Sequence, residues 1–292
     1  MIKLLIGGSP CTYWSIAQRN NREVKAEGVG WELFENYVIA KEKFKPDFFL
    51  YENNWSASKE IKEQIQEELG CKLMRINSNL VSAQNRDRFY VFNWDIHYPL
   101  DRGLTLKDIA QDKTQKRYYY YNEKLKNIHG KNALNKFRLS KKKLFEKSNC
   151  LTAGCSRVTS FSSTTLLYGD GDIYKLTPIE CERLQTLPDG YTKAVSNTQR
   201  YKCLGNGWTA EVIIHILNGA LGNIPKEEKI VVLSMYDGVA TGRYCLDRLG
   251  FTNVEYHAYE IDKYAIKVAM DNYPDIIQHG DAFQVRKEDW CI

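Results

Sequence analysis

No apolar run approaches the roughly 18 residues of a membrane-spanning helix. The N-terminus, where Met1-Ile-Lys-Leu-Leu-Ile runs straight into Gly7-Gly8, also lacks the charged, apolar and cleavable parts of a secretory signal. Nor is there a C-x-x-C pair: the eight cysteines stand at 11, 71, 150, 155, 181, 203, 245 and 291, a scatter that suits neither a zinc site nor a framework of bridges. These absences predict a cytoplasmic or nucleoid-associated chain with reduced thiols, no metal and no membrane partner. A strong charge of either sign is missing too, since 41 Lys and Arg face 36 Asp and Glu. The 43% hydrophobic content is enough for a real core and excludes collagen-like, mucin-like and wholly disordered chains. At 292 residues there is room for one large α/β unit and a smaller accessory domain.

The basic character that exists is local. Residues 101–150 hold 14 basic side chains against 5 acidic ones, whereas the rest of the chain holds 27 against 31. Patterning predicts a strand at 2–6, a helix over 31–45 with apolar Trp31, Phe34, Tyr37, Val38 and Ala40, a buried strand at 48–51, a polar helix at 57–69 and a strand over 86–94. Pro99 to Gly103 reads as a boundary. Segment 103–150 is polar, with a tyrosine run at 118–121; 155–170 reads as strands and loops; helices resume at 178–187 and 209–219. After a hinge-like stretch from Gly219 to Glu228, an apolar strand at 230–235 meets Asp237-Gly238-Val239-Ala240-Thr241-Gly242 and a helix ending near Gly250. A second strand closes on Glu260, a helix follows from Tyr264 to Asn272, and a third strand leads to Gly280-Asp281.

Strand, glycine-rich turn, helix, and a strand ending in an acid about 20 residues on form the opening half of a nucleotide-binding sheet. Glu260 could accept from a ribose diol and Asp281 from an adenine amine, so a cofactor with an adenosine moiety fits. Many α/β folds place glycine at such a turn, and that plainer reading stays open. In Gly7-Gly8-Ser9-Pro10-Cys11-Thr12, Pro10 restricts Ser9 and presents Cys11 at the carboxyl edge of the sheet. There Cys11 is a candidate nucleophile, activated by a helix N-terminus or nearby arginines, or else simply a buried small residue. Glu52 belongs to the same edge, with a capping role as its alternative. Arg86 and Arg88, two apart on one strand, project to one face toward an anionic or carbonyl-bearing ligand or toward solvent.

The segments GGSPC (7–11), YEN (51–53), QNRDR (84–88), LTPIECERLQTLPDGY (176–191), YKCLGNGW (201–208), LSMYDGVATG (233–242), YEID (259–262) and HGD (279–281) together resemble the DNA cytosine-C5 methyltransferases, with the motifs in rotated order. DGVATG, LGNGW and the Gly-x-Gly-x-x-Leu-Phe segment at 28–34 are most similar to the mammalian de novo branch. The resemblance implies an α/β fold: a Rossmann-like S-adenosylmethionine-dependent methyltransferase sheet, circularly permuted, with a small target-recognition domain. Residues 1–97 would be the catalytic half, 98–200 the target-recognition region, and 201–292 a returning helix, a linker and the cofactor-binding half.

Carried over by residue, the resemblance makes Cys11 the nucleophile on cytosine C6, Glu52 the partner of N3 and the exocyclic amine, and Arg88 the contact on the O2 side, with Arg86 in support. S-adenosyl-L-methionine would lie against Pro10, Tyr236, Asp237, Gly238, Ala240, Thr241, Gly242, Glu260, Ile261, Asp262, Asp281 and Ala282, with Asn206, Trp208 and Thr209 closing its methionine end. Double-stranded DNA is the implied partner, its target base flipped out. Ser15, Arg19 and Arg22, in a 12–30 loop resembling the one that closes over that base, would touch DNA; a plain surface loop is the alternative. Lys141, Lys142 and Lys143 suit phosphates, or a solvated face, while Ser156 and Arg157 suit base edges. The target would be a short site such as CG. A tRNA cytosine methyltransferase or a non-catalytic DNA-binding homologue stays open, as do a restriction partner and a homo-oligomer. Thr12 and Asn54 depart from the family's usual Gln or Asn and Val.

Overall fold

Alternating and continuous apolar runs become strands, and runs with a period of three or four become helices. The computed structural model describes residues 1–16, 22–112, 141–155, 165–167 and 173–292. In chain order the elements are β1 (Ile2–Gly7), α1 (Val29–Phe44), β2 (Phe48–Asn54), α2 (Lys59–Leu69), β3 (Leu73–Asn77), β4 (Asp87–Phe92) and the short α3 (Leu106–Ile109). There follow β5 (Lys141–Lys143), β6 (Thr165–Leu167), β7 (Ile173–Lys175), α4 (Pro178–Leu184), α5 (Asn197–Asn206) and α6 (Ala210–Leu221). The chain continues through β8 (Ile230–Met235), α7 (Thr241–Arg248), β9 (Val254–Tyr259), α8 (Lys263–Asn272) and β10 (Ile277–Gly280). Two compact units result: residues 1–76, 87–98 and 213–292, and residues 77–86 and 99–212.

The first unit is a seven-stranded sheet in the order β10-β9-β8-β1-β2-β4-β3. From β10 to β2 every pairing is parallel, and β4 runs antiparallel to β2. All six residues of β8 are buried, as expected of a central parallel strand covered on both faces. α1 turns Phe34, Tyr37, Ala40 and Phe44 into the core, and α2 does the same with Ile61, Ile65 and Leu69. Ser58 starts α2 by accepting the Ile61 amide at 3.2 Å, and Gly70 ends it in the left-handed conformation with φ 68°. Numbered from β8, the order 3-2-1-4-5 is that of a Rossmann-like sheet. No helix among the described residues is long and apolar enough to cross a membrane.

The second unit contains a small sheet, β5-β6-β7, and a buried polar network. Gln84 donates to the Leu184 carbonyl at 2.7 Å and to Gln185 Oε1 at 2.8 Å. Gln185 donates to the carbonyls of Leu204 at 2.6 Å and Gly207 at 3.1 Å, and its Oε1 accepts from Thr209. The Arg86 guanidinium donates to the carbonyls of Leu151 at 2.8 Å, Gly207 at 2.7 Å and Gly205 at 3.3 Å. The segments 84–86, 176–191 and 201–208 therefore meet in one hydrogen-bonded knot. Glu182, wholly buried, is neutralised by Arg200 at 2.8 Å and also accepts the amides of Gly190 and Thr192.

This corrects the expected arginine pair. Arg86 precedes β4, where its amide donates to Asn77 Oδ1 at 3.0 Å, and the first residue of the strand is Asp87. Arg86 and Arg88 therefore do not share one strand face. Arg86→Ala leaves three buried carbonyls without their charged donor, each worth about 1–3 kcal/mol. The urea midpoint is expected to fall by an amount equivalent to ~3 kcal/mol or more. Lys59→Ala, in an exposed ion pair with Glu63, is expected to leave the midpoint unmoved.

Candidate active site

Cys11 follows β1 by four residues and opens a 3-10 turn, Cys11–Tyr13, whose first carbonyl accepts the amides of Trp14 at 3.2 Å and Ser15 at 3.0 Å. The preceding loop is pinned to β2. Ser9 Oγ and the Tyr51 hydroxyl lie 2.7 Å apart, and Asn53 Nδ2 donates to the Ser9 carbonyl at 2.9 Å and to the Tyr51 hydroxyl at 3.0 Å. Burial keeps the Tyr51 phenol neutral by pushing its pKa well above the ordinary value. Tyr51 and Asn53 enter the sequence reading through the YEN motif, and Ser9 as the residue that Pro10 restricts. Tyr51 and Asn53 lie within β2 itself, and Ser9 lies in the loop that leaves β1.

Glu52 follows Tyr51 on β2. A Cβ on Gly8 would lie 2.5 Å from the Glu52 carbonyl oxygen and 3.0 Å from its Oε2, so only glycine permits this approach of the loop that carries Cys11 to Glu52. Arg88 Nε pairs with Glu52 Oε1 at 3.0 Å, with both side chains about nine-tenths buried. In the β2–β4 register Asn54 faces Arg88 and Glu52 faces Tyr90, so Glu52 and Arg88 are diagonal neighbours on one face. Chemically this is a fixed, charge-paired carboxylate beside a loop that carries a thiol.

The glycine-rich turn leaves β8, the parallel neighbour of β1. Tyr236, Gly238 and Ala240 adopt positive φ of 61°, 66° and 60°, an alternation of hand that turns backbone N–H groups inward. Gly238 donates to Glu260 Oε2 at 2.8 Å, while the amides of Ile261 and Asp262 donate to Oε1, each at 2.8 Å. Glu260 is thus held at the end of β9 by three amides.

The residues fit an adenosine-bearing cofactor. A Cβ on Gly238 or Gly280 would meet nothing within 4 Å, and the Ile261 side chain beside Glu260 is 74% exposed. Asp281 caps the following turn through Phe283 N, with Ala282 buried behind it, and Asp262 caps α8 through Tyr264 N. Pro10 is exposed at the edge of β1, and Thr241 and Gly242 are buried at the start of α7. Asn206, Trp208 and Thr209 belong to the second unit, where Thr209 is fixed by Gln185.

The expected DNA contacts divide. Arg22 is turned onto the protein's own backbone, donating to the carbonyls of Trp14 and Ser56, so its guanidinium is not presented to a phosphate. Ser15 lies just beyond the Cys11 turn, and Lys143 is exposed on β5, whereas Lys142 pairs with Glu146 at 3.7 Å. Arg19, Ser156, Arg157 and the Lys141 side chain lie outside the described residues.

Asp237 is the strained group of the turn. Its Oδ1 accepts from Ser234 at 2.7 Å and Tyr256 at 2.6 Å, while Oδ2 is buried without a hydrogen-bond partner. Burial pushes its pKa up to about 6, against the lowering effect of both hydroxyls. The folded state therefore binds more protons than the unfolded chain between pH ~4 and ~6. Stability contributed by this residue falls as pH rises through that window, by on the order of 3 kcal/mol, and does not recover above it. Urea titrations across pH should show this decline in the wild type and its absence in Asp237→Asn.

Comparison with known proteins agrees with this geometry. A family model described as C-5 cytosine-specific DNA methylase matches residues 1–170 and 156–220. The type II methyltransferase M.HpaII of Haemophilus parainfluenzae is 27% identical over 251 residues, covering 70% of this chain and 67% of its own. M.Bsp6I of Bacillus sp. is 26% identical over 250 residues, covering 73% and 76%. The solved Entamoeba histolytica methyltransferase EhMeth superimposes with a TM-score of 0.58 at 13% identity, covering 76% of this chain and 78% of that one, and so shares the fold. The chain belongs to the C-5 cytosine-specific DNA methylase family, as a methyltransferase whose cofactor is S-adenosylmethionine.

Proposed function

We propose that the protein methylates C5 of a flipped cytosine in duplex DNA through a covalent bond between Cys11 Sγ and ring C6, at a short site such as CG. The observation that carries this reading is the Glu52–Arg88 pair held beside Gly8, three residues before the thiol. Cytosine C5 is a weak nucleophile. Addition of the Cys11 thiolate to C6 turns the ring into an enamine, and charge gathers at N3 and its neighbours. Glu52 holds N3 and the exocyclic amine, and Arg88 fixes Glu52 while facing the O2 side. S-adenosylmethionine, bound along Tyr236–Gly242, Glu260, Ile261 and Asp281, supplies an electrophilic methyl group. Loss of the C5 proton to a base then expels Cys11 as thiolate.

The face of C6 is hidden in a stacked duplex, so the base must leave the stack. Lys143 and the basic 101–150 segment would hold phosphates, with Ser156 and Arg157 reading base edges and residues 98–200 forming the recognition region. The motif order is that of a circular permutation. One fact supports it: residues 230–280 supply the three strands that precede β1 in a Rossmann-like order.

Duplex DNA carrying 5-fluorocytosine tests the reading, because fluorine blocks the loss that frees the thiol. With S-adenosylmethionine present, the wild type is expected to give a denaturation-resistant complex, and Cys11→Ala none. Glu52→Gln should lower kcat by about 10²–10³ while binding of the cofactor persists. Absence of the wild-type complex, or labelled methyl entering tRNA but not duplex DNA, would sink the proposal.

A further inference from the structure

We infer that Asn36 and Arg286 are positioning residues for S-adenosylmethionine, a brace that fixes the distance between the two turns of its cradle. The turn after β8 carries Tyr236 to Gly242, the turn after β10 carries Asp281, and β9 separates the two strands in the sheet. Strands lie about 4.8 Å apart, so the turns start roughly 10 Å from one another and no ladder hydrogen bond joins them. The link runs instead through α1. Asn36 is wholly buried on that helix. Its Oδ1 accepts from Arg286 Nε at 2.6 Å, and Arg286 ends the 3-10 turn Ala282–Arg286 that Asp281 caps. Its Nδ2 donates to the Tyr236 hydroxyl at 3.3 Å, and that hydroxyl donates to the Leu33 carbonyl at 2.7 Å. One buried amide thus holds both turns. This inference rests on the cofactor placement proposed above.

The chain of bonds allows one arrangement. A guanidinium can only donate and a backbone carbonyl can only accept, so with Arg286 at one end and Leu33 at the other, the amide turns its oxygen to Arg286 and its nitrogen to Tyr236. Arg286 is itself fixed on α1, donating from Nη2 to the Glu32 carbonyl at 3.1 Å and to Glu35 Oε2 at 3.3 Å. At the other end Tyr236 has φ 61°, a left-handed conformation that a non-glycine residue keeps only where its surroundings hold it. The two bonds of its hydroxyl supply that hold by fastening the ring to α1. The backbone beyond it then aims the Gly238 amide at Glu260. Loss of the Asn36 amide leaves each turn folded by its own contacts, Asp281 through Phe283 N and Glu260 through three amides, but frees their separation. A cofactor that must touch both turns loses affinity while the fold persists.

Calorimetric titration of the full chain with S-adenosylhomocysteine is the test. Asn36→Leu, close in volume but unable to hydrogen-bond, should weaken binding at least fivefold with little change in thermal melting. Asn36→Asp, which can accept from both Arg286 and Tyr236, should bind within twofold of the wild type. Arg286→Met alters a side chain that is 36% exposed, so it carries the same fivefold expectation whether or not Asn36→Leu folds. Because the two residues act through one chain of bonds, the double variant should be no more than twofold weaker than the weaker single, not the ~25-fold of independent losses. Glu260→Ala, expected to weaken binding at least tenfold, separates the brace from the placement it rests on. Wild-type affinity in Glu260→Ala overturns the placement itself. A loss there with wild-type affinity in Arg286→Met and in folded Asn36→Leu, additive losses in the double variant, or a loss in Asn36→Asp equal to that in Asn36→Leu overturns the brace.

Discussion

The parallel pairing of β8 with β1 is the constraint on which the site depends. Their register runs from Ile2 opposite Ile230 to Gly7 opposite Met235, so two segments far apart in the chain end at the same sheet edge. Parallel strands align their carboxyl ends, and the loop that bears Cys11 and the turn that bears Asp237 and Gly238 must therefore leave side by side. Everything in the proposed chemistry follows from that adjacency. β2, on the other flank of β1, adds Glu52 to the same edge. β4 adds Arg88 from the antiparallel direction.

Much of this is legible in the amino-acid sequence. The strands read at 2–6, 48–51 and 230–235 are apolar runs that only a covered sheet can bury, and they lie within β1, β2 and β8, while the polar helix read over 57–69 is α2. β3 and α5 were not foreseen. β3 is five residues long and interrupted by Arg75, while α5 contains Gly205 and a mostly polar face, so neither has a period strong enough to read. Cys11 and Glu52 read onto one edge because each comes at the end of an apolar strand. What spacing could not reveal is the direction of a side chain at a strand boundary. Two arginines two residues apart suggest one face, but the ladder opens between them, and Arg86 belongs to a different hydrogen-bond network from Arg88.

That network explains why motif residues need not be reacting residues. Gln84, Arg86 and Gln185 all point at backbone carbonyls and amides, and together they shape the Leu204–Thr209 segment. A buried polar cluster of this kind is stabilising only when every member is satisfied. Conservative changes within it are therefore expected to act on the fold of the second unit before they act on chemistry. Asp237 is the opposite case, an incompletely satisfied carboxylate whose cost is carried by a hydrophobic core that buries all of β8.

The knot of Ser9, Tyr51 and Asn53 has a consequence for precision. The three residues tie the loop carrying the thiol to the strand carrying the acid, through contacts made on either side of Glu52 itself. Thermal displacement of β2 then moves Cys11 and Glu52 together, as a single rigid gauge. Their separation is buffered against breathing of the sheet. In the proposed chemistry, the attacking atom and the group that answers its charge would therefore share one frame of reference.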